Sequence, residues 1–380
     1  MVPVEDIPEA ARLAKLEFDR QAPYLYDGKT PPEIVTSGPD IFDLRERFLE
    51  AKESAVTTGK LSPKTFPQYK RAADKLLLFF GEDRPLASLG PADFTLLYRH
   101  LDKAQHPVSP ANEIRSIRIV LKYAFDSELI DKPFRFGPDF KAPGPEIIRR
   151  AEQSHQRQHG KRMFEAAQVR VMLESLGGRG EYALPLTAAN VALRAMILLG
   201  LNGGLGQSDI GNLEKSHIDL QRGWLDFPRM KTAVERQIPL WPETVEAIRA
   251  ALEVRRKPKT QADAQCVFLT RFGRRWVTVT PTGGVTDTVG KCFSRLLTHL
   301  EMKRVRLSFY ALRHATETIG GRCRDQVAVN WIMGHAPKSG DMSARYREGI
   351  DDDRLLAVTN TIREWLFQGD AKAISPCGPR

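Results

Sequence analysis

A proline- and glycine-rich stretch in the middle of the chain most constrains how the chain can fold. Residues 132–146 read KPFRFGPDFKAPGPE, with four prolines and two glycines. Such a run forms neither a helix interior nor a central strand, because proline lacks an amide hydrogen and has a fixed φ. Patterned sequence lies on both sides. We therefore predict two domains joined by a linker at residues 131–162, whose last part is either a basic helix or extended.

The patterned segments set the predicted domain boundaries. Residues 41–130 show helical periodicity, and residues 163–367 show it with one interruption. That interruption, residues 218–240, alternates short apolar runs with turns, which predicts a three-stranded meander. Residues 1–40 carry many prolines and charges with little periodicity, so we expect an N-terminal arm, and we expect a disordered tail at 368–380. The predicted fold class is mainly α with a small antiparallel β-sheet.

The composition of the chain indicates which kinds of binding partner and site to expect. The net charge of +10 favours a polyanion such as DNA or RNA, although a basic protein with no nucleic-acid partner also fits. No cysteine lies near enough to another to form a CxxC pair, so we expect neither a zinc site nor a disulfide framework. The most apolar run is too short to cross a membrane, and no signal peptide is recognisable. We expect a cytoplasmic protein without cofactor or metal.

Two predicted helices of the first domain carry basic residues. Ser62 and Pro63 are typical of a helix start, as N-cap and first helical residue. A solvated face is the plain interpretation of each basic set, but two such faces in one small bundle favour phosphate contacts. The predicted DNA-binding residues are Lys64, Lys70, Arg71 and Lys75 on one helix, and Arg115, Arg118 and Lys122 on the other.

The second domain contains residue types that phosphodiester cleavage by covalent catalysis requires. Such chemistry needs a nucleophile, positive charge on the phosphate oxygens and an acid for the leaving oxygen. Tyr346 is the candidate nucleophile, Arg313 the candidate clamp, and Lys231 lies in a predicted hairpin turn. Gly334 can end a helix and turn His335 outward. Taken singly, each residue is more simply a surface or ion-pair residue.

The order of these motifs resembles the tyrosine recombinases (phage integrase family). The motifs are YALRH, from Tyr310 to His314, IMGHAPKSGDMSARYRE, which contains His335 and Tyr346, and a Lys-Thr hairpin. The resemblance covers about residues 41–367, and LSPKTFPQYKRAADKLLLFFGEDRPLASLGPADF looks like the family's helical core-binding (SAM-like) domain. It implies a C-terminal catalytic domain in which Tyr346 forms a 3′-phosphotyrosyl link without metal or ATP.

The resemblance also implies roles for the other residues. Arg313 would clamp a phosphate oxygen, His335 would hydrogen-bond the scissile phosphate, and Lys231 would be the general acid. Tyr310 stands where the family has a histidine, and it is a poorer proton acceptor near neutral pH. Double-stranded DNA is the implied partner, bound by a homotetramer, and an accessory DNA-bending protein is a further candidate partner.

One position departs from the family. The first catalytic arginine maps onto Gly206, and losing such a clamp can reduce the rate by roughly 10³–10⁵. Gln207 or nearby arginines are candidates to replace it: Arg304, Arg306, Arg322 and Arg324. We predict a site-specific recombinase or integrase of a mobile element. The alternatives are a catalytically impaired DNA-binding protein, a topoisomerase IB-like enzyme and an unrelated basic helical scaffold. The last helix packs on its own domain or docks on a neighbouring protomer.

Overall fold

The computed structural model describes residues 38–101, 108–337, 340–342 and 346–368, with scattered positions between 11 and 28. The predicted tail beyond residue 368 and most of the predicted arm at 1–40 lie outside the described residues. The described chain divides into two compact units. One contains residues up to 155 together with 279–284, and the other contains 156–278 and residues from 285 onward.

The N-terminal unit is a bundle of helices around an apolar core. Phe48 and Phe94 are fully buried at its centre, and Leu76 is almost so. Polar bonds supplement the core, since Gln68 Nε2 donates to Ser116 Oγ at 2.7 Å. Its helices are α1 (Ile41–Thr57), α2 (Phe66–Phe80), α3 (Pro91–Leu101), α4 (Val108–Asp126) and, at its boundary, α5 (Pro145–His159).

Helix α2 begins later than the sequence predicted. Ser62 to Thr65 form a turn, in which Thr65 N–H donates to Ser62 O at 2.9 Å, and the helix starts at Phe66. Pro67 decides this, because in a helix that started at Pro63 it would lie past the first turn, where its ring clashes with the carbonyl four residues earlier. Gly81 ends α2 with a φ of 88°, a backbone conformation that glycine adopts readily.

The predicted linker contains both irregular and helical sequence. Residues 131–144 form no helix or strand, whereas α5 occupies Pro145–His159 with no buried residue. Phe140 is fully buried in the N-terminal core, and Phe134 and Phe136 pack against that core. The N-terminal unit therefore uses part of the predicted linker as core. The predicted domain boundaries remain predictions.

The C-terminal unit is built around the buried helix α7, as its predominantly apolar sequence predicts. Nearly every residue from Ala192 to Asn202 is buried. The elements of this unit are α6 (Ala166–Leu176), α7 (Ala188–Asn202), α8 (Gln207–Gly211), β1 (Ile218–Asp219), β2 (Trp224–Asp226), β3 (Gln237–Pro239), α9 (Pro242–Glu253), β4 (Val277–Val279), β5 (Val285–Asp287), α10 (Thr288–His299), α11 (Ala311–Gly320), α12 (Gln326–Met333) and α13 (Asp352–Gln368).

The predicted meander is confirmed as an antiparallel sheet in the order β1-β2-β3. Leu225 pairs with Ile238, and both are fully buried. Beyond the last pair, Phe227 N–H donates to Arg236 O at 3.1 Å and extends the ladder towards the β2–β3 loop. This loop, residues 227–236, contains Lys231 in its turn, as predicted.

The last helix, α13, packs on its own unit. Leu355, Val358 and Ile362 are fully buried in the main core, and the Trp241 indole donates to Thr359 O at 2.9 Å. The sequence left open whether this helix docks on another protomer. Its apolar face is already covered within the chain.

Asn202 is a buried polar junction at the end of α7. Its amide donates to Pro239 O at 2.9 Å, and its Oδ1 accepts from Trp241 N–H at 2.8 Å and from the Thr244 hydroxyl at 3.1 Å. This one side chain therefore joins α7 to the end of the sheet and the start of α9.

We expect Asn202→Ala to lower the free energy of unfolding of the C-terminal unit by about 2–3 kcal/mol, because buried partners lose their hydrogen bonds. All five tryptophans lie in this unit, so tryptophan fluorescence during urea denaturation reports on it. Asn190→Ala, on the exposed end of the same helix, is the control and should change the unfolding free energy by less than about 1 kcal/mol. Equal effects of the two substitutions would contradict the junction.

Candidate active site

Arg313 is the centre of the candidate site. It lies in the first turn of α11 and is only 3% exposed. Its guanidinium donates from Nη1 to Gly204 O at 2.5 Å and from Nη2 to Met333 O at 2.6 Å. These bonds hold together the turn after α7, the start of α11 and the end of α12. The two carbonyls accept hydrogen bonds from the buried guanidinium. These bonds offset part of the free-energy cost of burying its charge.

Two glycines permit this close packing. A Cβ on Gly204 would overlap Met333 Sδ, and the φ of Gly204 is 61°. Gly334 has a φ of 60° and ends α12, as the sequence predicted. A Cβ there would lie 2.7 Å from Arg236 Cδ and 2.9 Å from Arg229 Cβ. The backbone at both glycines is therefore accessible to arginine side chains.

The β2–β3 loop docks on the Gly334 carbonyl. Arg229 Nη1 donates to this oxygen at 3.2 Å, and the Thr232 hydroxyl donates to it at 3.1 Å. Lys231 lies between these two residues in the loop and is exposed. The loop therefore carries its lysine next to the backbone that leads into His335.

Arg236 forms a buried ion pair at the base of the same loop. Its side chain is fully buried, Nε donates to Phe227 O at 2.9 Å, and Nη1 contacts Asp209 Oδ2 at 3.3 Å. The same carboxylate oxygen accepts from Gly206 N–H at 3.4 Å. Arg236 Nη2 has no hydrogen-bond partner among the described residues. Arg236 is not recognisable from the sequence, because Asp209 lies 27 positions away and nothing local indicates the pair.

The site concentrates positive charge. Burial is the main cause that lowers the pKa of Arg313 to about 10, and Arg229 is its strongest charged neighbour. Tyr310, Asp209 and Arg236 also act on it. Since this pKa is still well above 7, Arg313 is a cation at neutral pH. Burial and the charge of Arg229 likewise lower the pKa of Arg236.

His335 is the next residue of the site, and its Nδ1 lies 3.9 Å from Glu317 Oε2. Burial is the main cause that lowers its pKa below the ordinary value; Arg313 and Arg229 add to this effect, and Glu317 opposes it. Nδ1 lies 3.2 Å from Asn330 Oδ1. Because that oxygen only accepts, Nδ1 carries the proton in the neutral ring, which leaves the Nε2 lone pair available.

The two candidate tyrosines are accessible. Tyr310 is the N-cap of α11 and is 44% exposed, so it shares the start of this helix with the buried Arg313. Tyr346 is 79% exposed, and no described residue hydrogen-bonds its hydroxyl. Residues 343–345, directly before it, lie outside the described residues.

The sequence offers four arginines as candidates to replace the one missing at Gly206. Arg304 donates to Lys161 O at 2.9 Å and to Met163 O at 3.2 Å. Among the described residues, Arg229 and Arg236 are the arginines that contribute most to lowering the pKa of Arg313. The replacement of the missing arginine by Arg304, Arg306, Arg322 or Arg324 stays a prediction.

The predicted DNA-binding residues of the N-terminal unit differ in their availability. Lys75 pairs with Glu113 at 2.7 Å and Lys122 with Asp126 at 2.5 Å, which the sequence did not predict. Arg118 stacks over Phe136 at 4.4 Å. The remaining four are all exposed on the surface of the unit: Lys64, Lys70, Arg71 and Arg115.

Other site types find little support in the described part of the chain. No group of three or more His, Cys, Asp and Glu residues is placed to hold a metal ion. No described helix combines the length and apolarity needed to span a bilayer.

The family comparison supports the class of tyrosine-type DNA breaking and rejoining enzymes for the C-terminal part of the chain. The family model described as "Phage integrase family" matches residues 166–348, which include all the predicted catalytic residues. This segment, 183 of the 380 residues, resembles that family. No curated protein sequence matches the chain.

Solved structures share the fold at low sequence identity. The Tn1549 transposon integrase, in complex with transposon right end DNA, is 17% identical, with a TM-score of 0.57 over 86% of this chain and 100% of that one. A λ integrase dimer bound to a COC′ core site is 14% identical, with a TM-score of 0.54 over 81% and 98% of the chains. The XerH recombinase bound to a palindromic difH substrate is 14% identical, with a TM-score of 0.54 over 77% and 78%. These likenesses show the predicted fold class.

We expect Gly334→Ala to lower the free energy of unfolding by about 1–3 kcal/mol, because a side chain there meets a positive φ and two arginine side chains. Gly206→Ala is the matched control, since its φ is −85° and no atom lies within 4 Å of the added Cβ. Urea denaturation followed by tryptophan fluorescence compares the two. A Gly334→Ala protein as stable as Gly206→Ala would contradict the close packing at Gly334.

Proposed function

We propose that the protein is a site-specific recombinase that cuts and rejoins double-stranded DNA through Tyr346. The observation that carries this proposal is the buried Arg313, fixed by two carbonyls beside the backbone that leads into His335. A fixed, ionised guanidinium stabilises the charge of a phosphoryl group during transfer. The family match and the DNA complexes of the three similar structures support DNA as the substrate.

The cleavage step uses groups of this chain alone. The Tyr346 oxygen attacks the scissile phosphorus and forms a 3′-phosphotyrosyl bond, while the bond from phosphorus to the 5′ oxygen breaks. Lys231 gives a proton to the leaving 5′ oxygen, and Arg313 binds a non-bridging oxygen. Rejoining is the reverse, with a 5′ hydroxyl as the attacking group. The phosphotyrosine conserves the bond energy, so the reaction consumes no ATP.

His335 is the group that we propose as acceptor of the Tyr346 proton. Its Nε2 lone pair is free in the tautomer that Asn330 selects. Tyr310 cannot take this role near neutral pH, because its hydroxyl is a weak base. His335 therefore takes the proton-accepting role, although it does not stand at the position where the family has its histidine. Tyr310, which stands at that position, keeps a hydrogen-bonding role.

Assembly and DNA binding complete the proposal. Recombination between two sites requires four protomers, and an accessory DNA-bending protein is a candidate for arranging them. In the N-terminal unit we assign non-specific phosphate contacts to Lys70 and Arg71 on α2 and to Arg115 on α4. A cytoplasmic location remains our expectation.

We expect Tyr346→Phe to abolish a protein–DNA covalent complex that wild type forms with supercoiled plasmid in the absence of metal. SDS quenching followed by gel electrophoresis detects the protein-linked nick and the relaxed topoisomers. Tyr182→Phe, in the same unit, is the control and should react as wild type. Binding without a covalent complex, on plasmid and on candidate target sites alike, would favour the catalytically impaired DNA-binding protein. Relaxation without any need for two sites would favour a topoisomerase-like enzyme.

We expect the rate of covalent-complex formation to stay constant down to below the ordinary histidine pKa of about 6.5 and then to fall with acid. The pKa of His335 is lowered, so its lone pair stays available to a lower pH than in a free histidine. Rates measured between about pH 5 and pH 8 test this, and His335→Gln should be slower and lack the acidic fall. An unchanged acidic fall in His335→Gln would assign the titration to another group.

A further inference from the structure

Arg229 lies close to other basic side chains of the candidate site. Its charge acts on Arg313, on Arg236 and on His335. Among the described residues no carboxylate pairs with Arg229, whereas Arg236 has Asp209. An unpaired guanidinium surrounded by positive groups is unfavourable unless an anion binds there.

The geometry places Arg229 beside Arg313. Arg313 donates to Met333 O and Arg229 donates to Gly334 O, which are consecutive carbonyls at the end of α12. Arg229 is half-buried and uses one of its five N–H groups in this bond. Its other donors remain for a ligand, and a phosphate that meets both guanidinium groups would match their forks.

The position that lacks a side chain lies close to the same hairpin. Gly206 N–H and Arg236 Nη1 bind the same oxygen of Asp209, and open space surrounds the missing Cβ of Gly206. Arg236 is fully buried, so it is a positioning residue that anchors the base of the β2–β3 loop. Arg229, on that loop, is the guanidinium that can reach a ligand.

We propose that Arg229 supplies the second phosphate-binding guanidinium of the site, in place of the arginine absent at Gly206. The proposal rests on the proposed function, since the ligand is the non-bridging oxygen of the scissile phosphate. Arg229 was not among the catalytic residues predicted from the sequence. The available signal in the sequence was the spacing Arg229-x-Lys231, which places two cations on one turn.

The first test is the rate of covalent-complex formation on supercoiled plasmid. Arg229→Gln should lower this rate by about 10³-fold or more, and adding Gly206→Arg to that variant should restore at least about tenfold. The backbone at Gly206 accepts a side chain, so the added arginine can enter the open space. Arg222→Gln is the control, since Arg222 lies on another turn of the sheet and already pairs with Asp352 at 2.8 Å. It should react at the wild-type rate.

The second test does not depend on catalysis. The salt dependence of binding to plasmid DNA should weaken by about one phosphate contact, a slope change of roughly 0.9, in Arg229→Gln but not in Arg222→Gln. If wild type forms no Tyr346 complex, the proposed function fails, and this slope still judges Arg229. Wild-type rate and unchanged slope in Arg229→Gln would overturn the proposal.

Folding is checked in the same proteins. Gly334 O keeps the Thr232 hydroxyl in Arg229→Gln, so the urea midpoint should match that of wild type. If that variant is unfolded, Arg229→Lys provides the measurement, because it keeps the charge and loses the fork. An intermediate rate then supports the proposal, and a wild-type rate overturns it.

Discussion

A nearly buried guanidinium that must keep its charge is the constraint on which the C-terminal unit depends. Arg313 is held by Gly204 O and Met333 O, so three separate segments must meet at one point. Burial lowers its pKa to about 10, which leaves it ionised at neutral pH. The two carbonyls therefore provide stability and pre-organisation together. A phosphate that arrives finds the cation fixed, without the reorganisation that a flexible surface arginine would need.

The backbone at the end of α12 contacts several residues of the candidate site. Met333 O receives Arg313, Gly334 O receives Arg229 and Thr232, and the next residue is His335. The carbonyls at a helix C-terminus carry partial negative charge, which favours cations there. Two carboxylates contact this group of described residues: Asp209 pairs with Arg236, and Glu317 Oε2 lies 3.9 Å from His335 Nδ1. The protein thus holds an excess of positive charge that a bound phosphate would neutralise.

Features of the fold that depend on neighbouring residues in the sequence could be predicted from the sequence. The buried α7, the meander with Lys231 in its turn and the helix end at Gly334 follow from apolar runs, turn residues and glycine conformation. The predicted start of α2 at Pro63 was wrong, because Pro67 does not fit past the first turn of a helix that begins at the Ser62-Pro63 signal. The pairing of Arg236 with Asp209 and the nearness of Arg229 to Arg313 were not predicted, since both depend on tertiary packing.

The hairpin links two parts of the proposed chemistry mechanically. Arg229 and Lys231 occupy one turn, and this turn is fastened to the site through Gly334 O and through Arg236 at its base. A displacement of the loop would therefore remove the second phosphate-binding guanidinium and the general acid together and leave only Arg313, whereas a clamp on the helix that follows Gly206 would stay behind. Moving the clamp to the hairpin makes phosphate binding and leaving-group protonation depend on one element, so the loop cannot bind the phosphate without also presenting the acid.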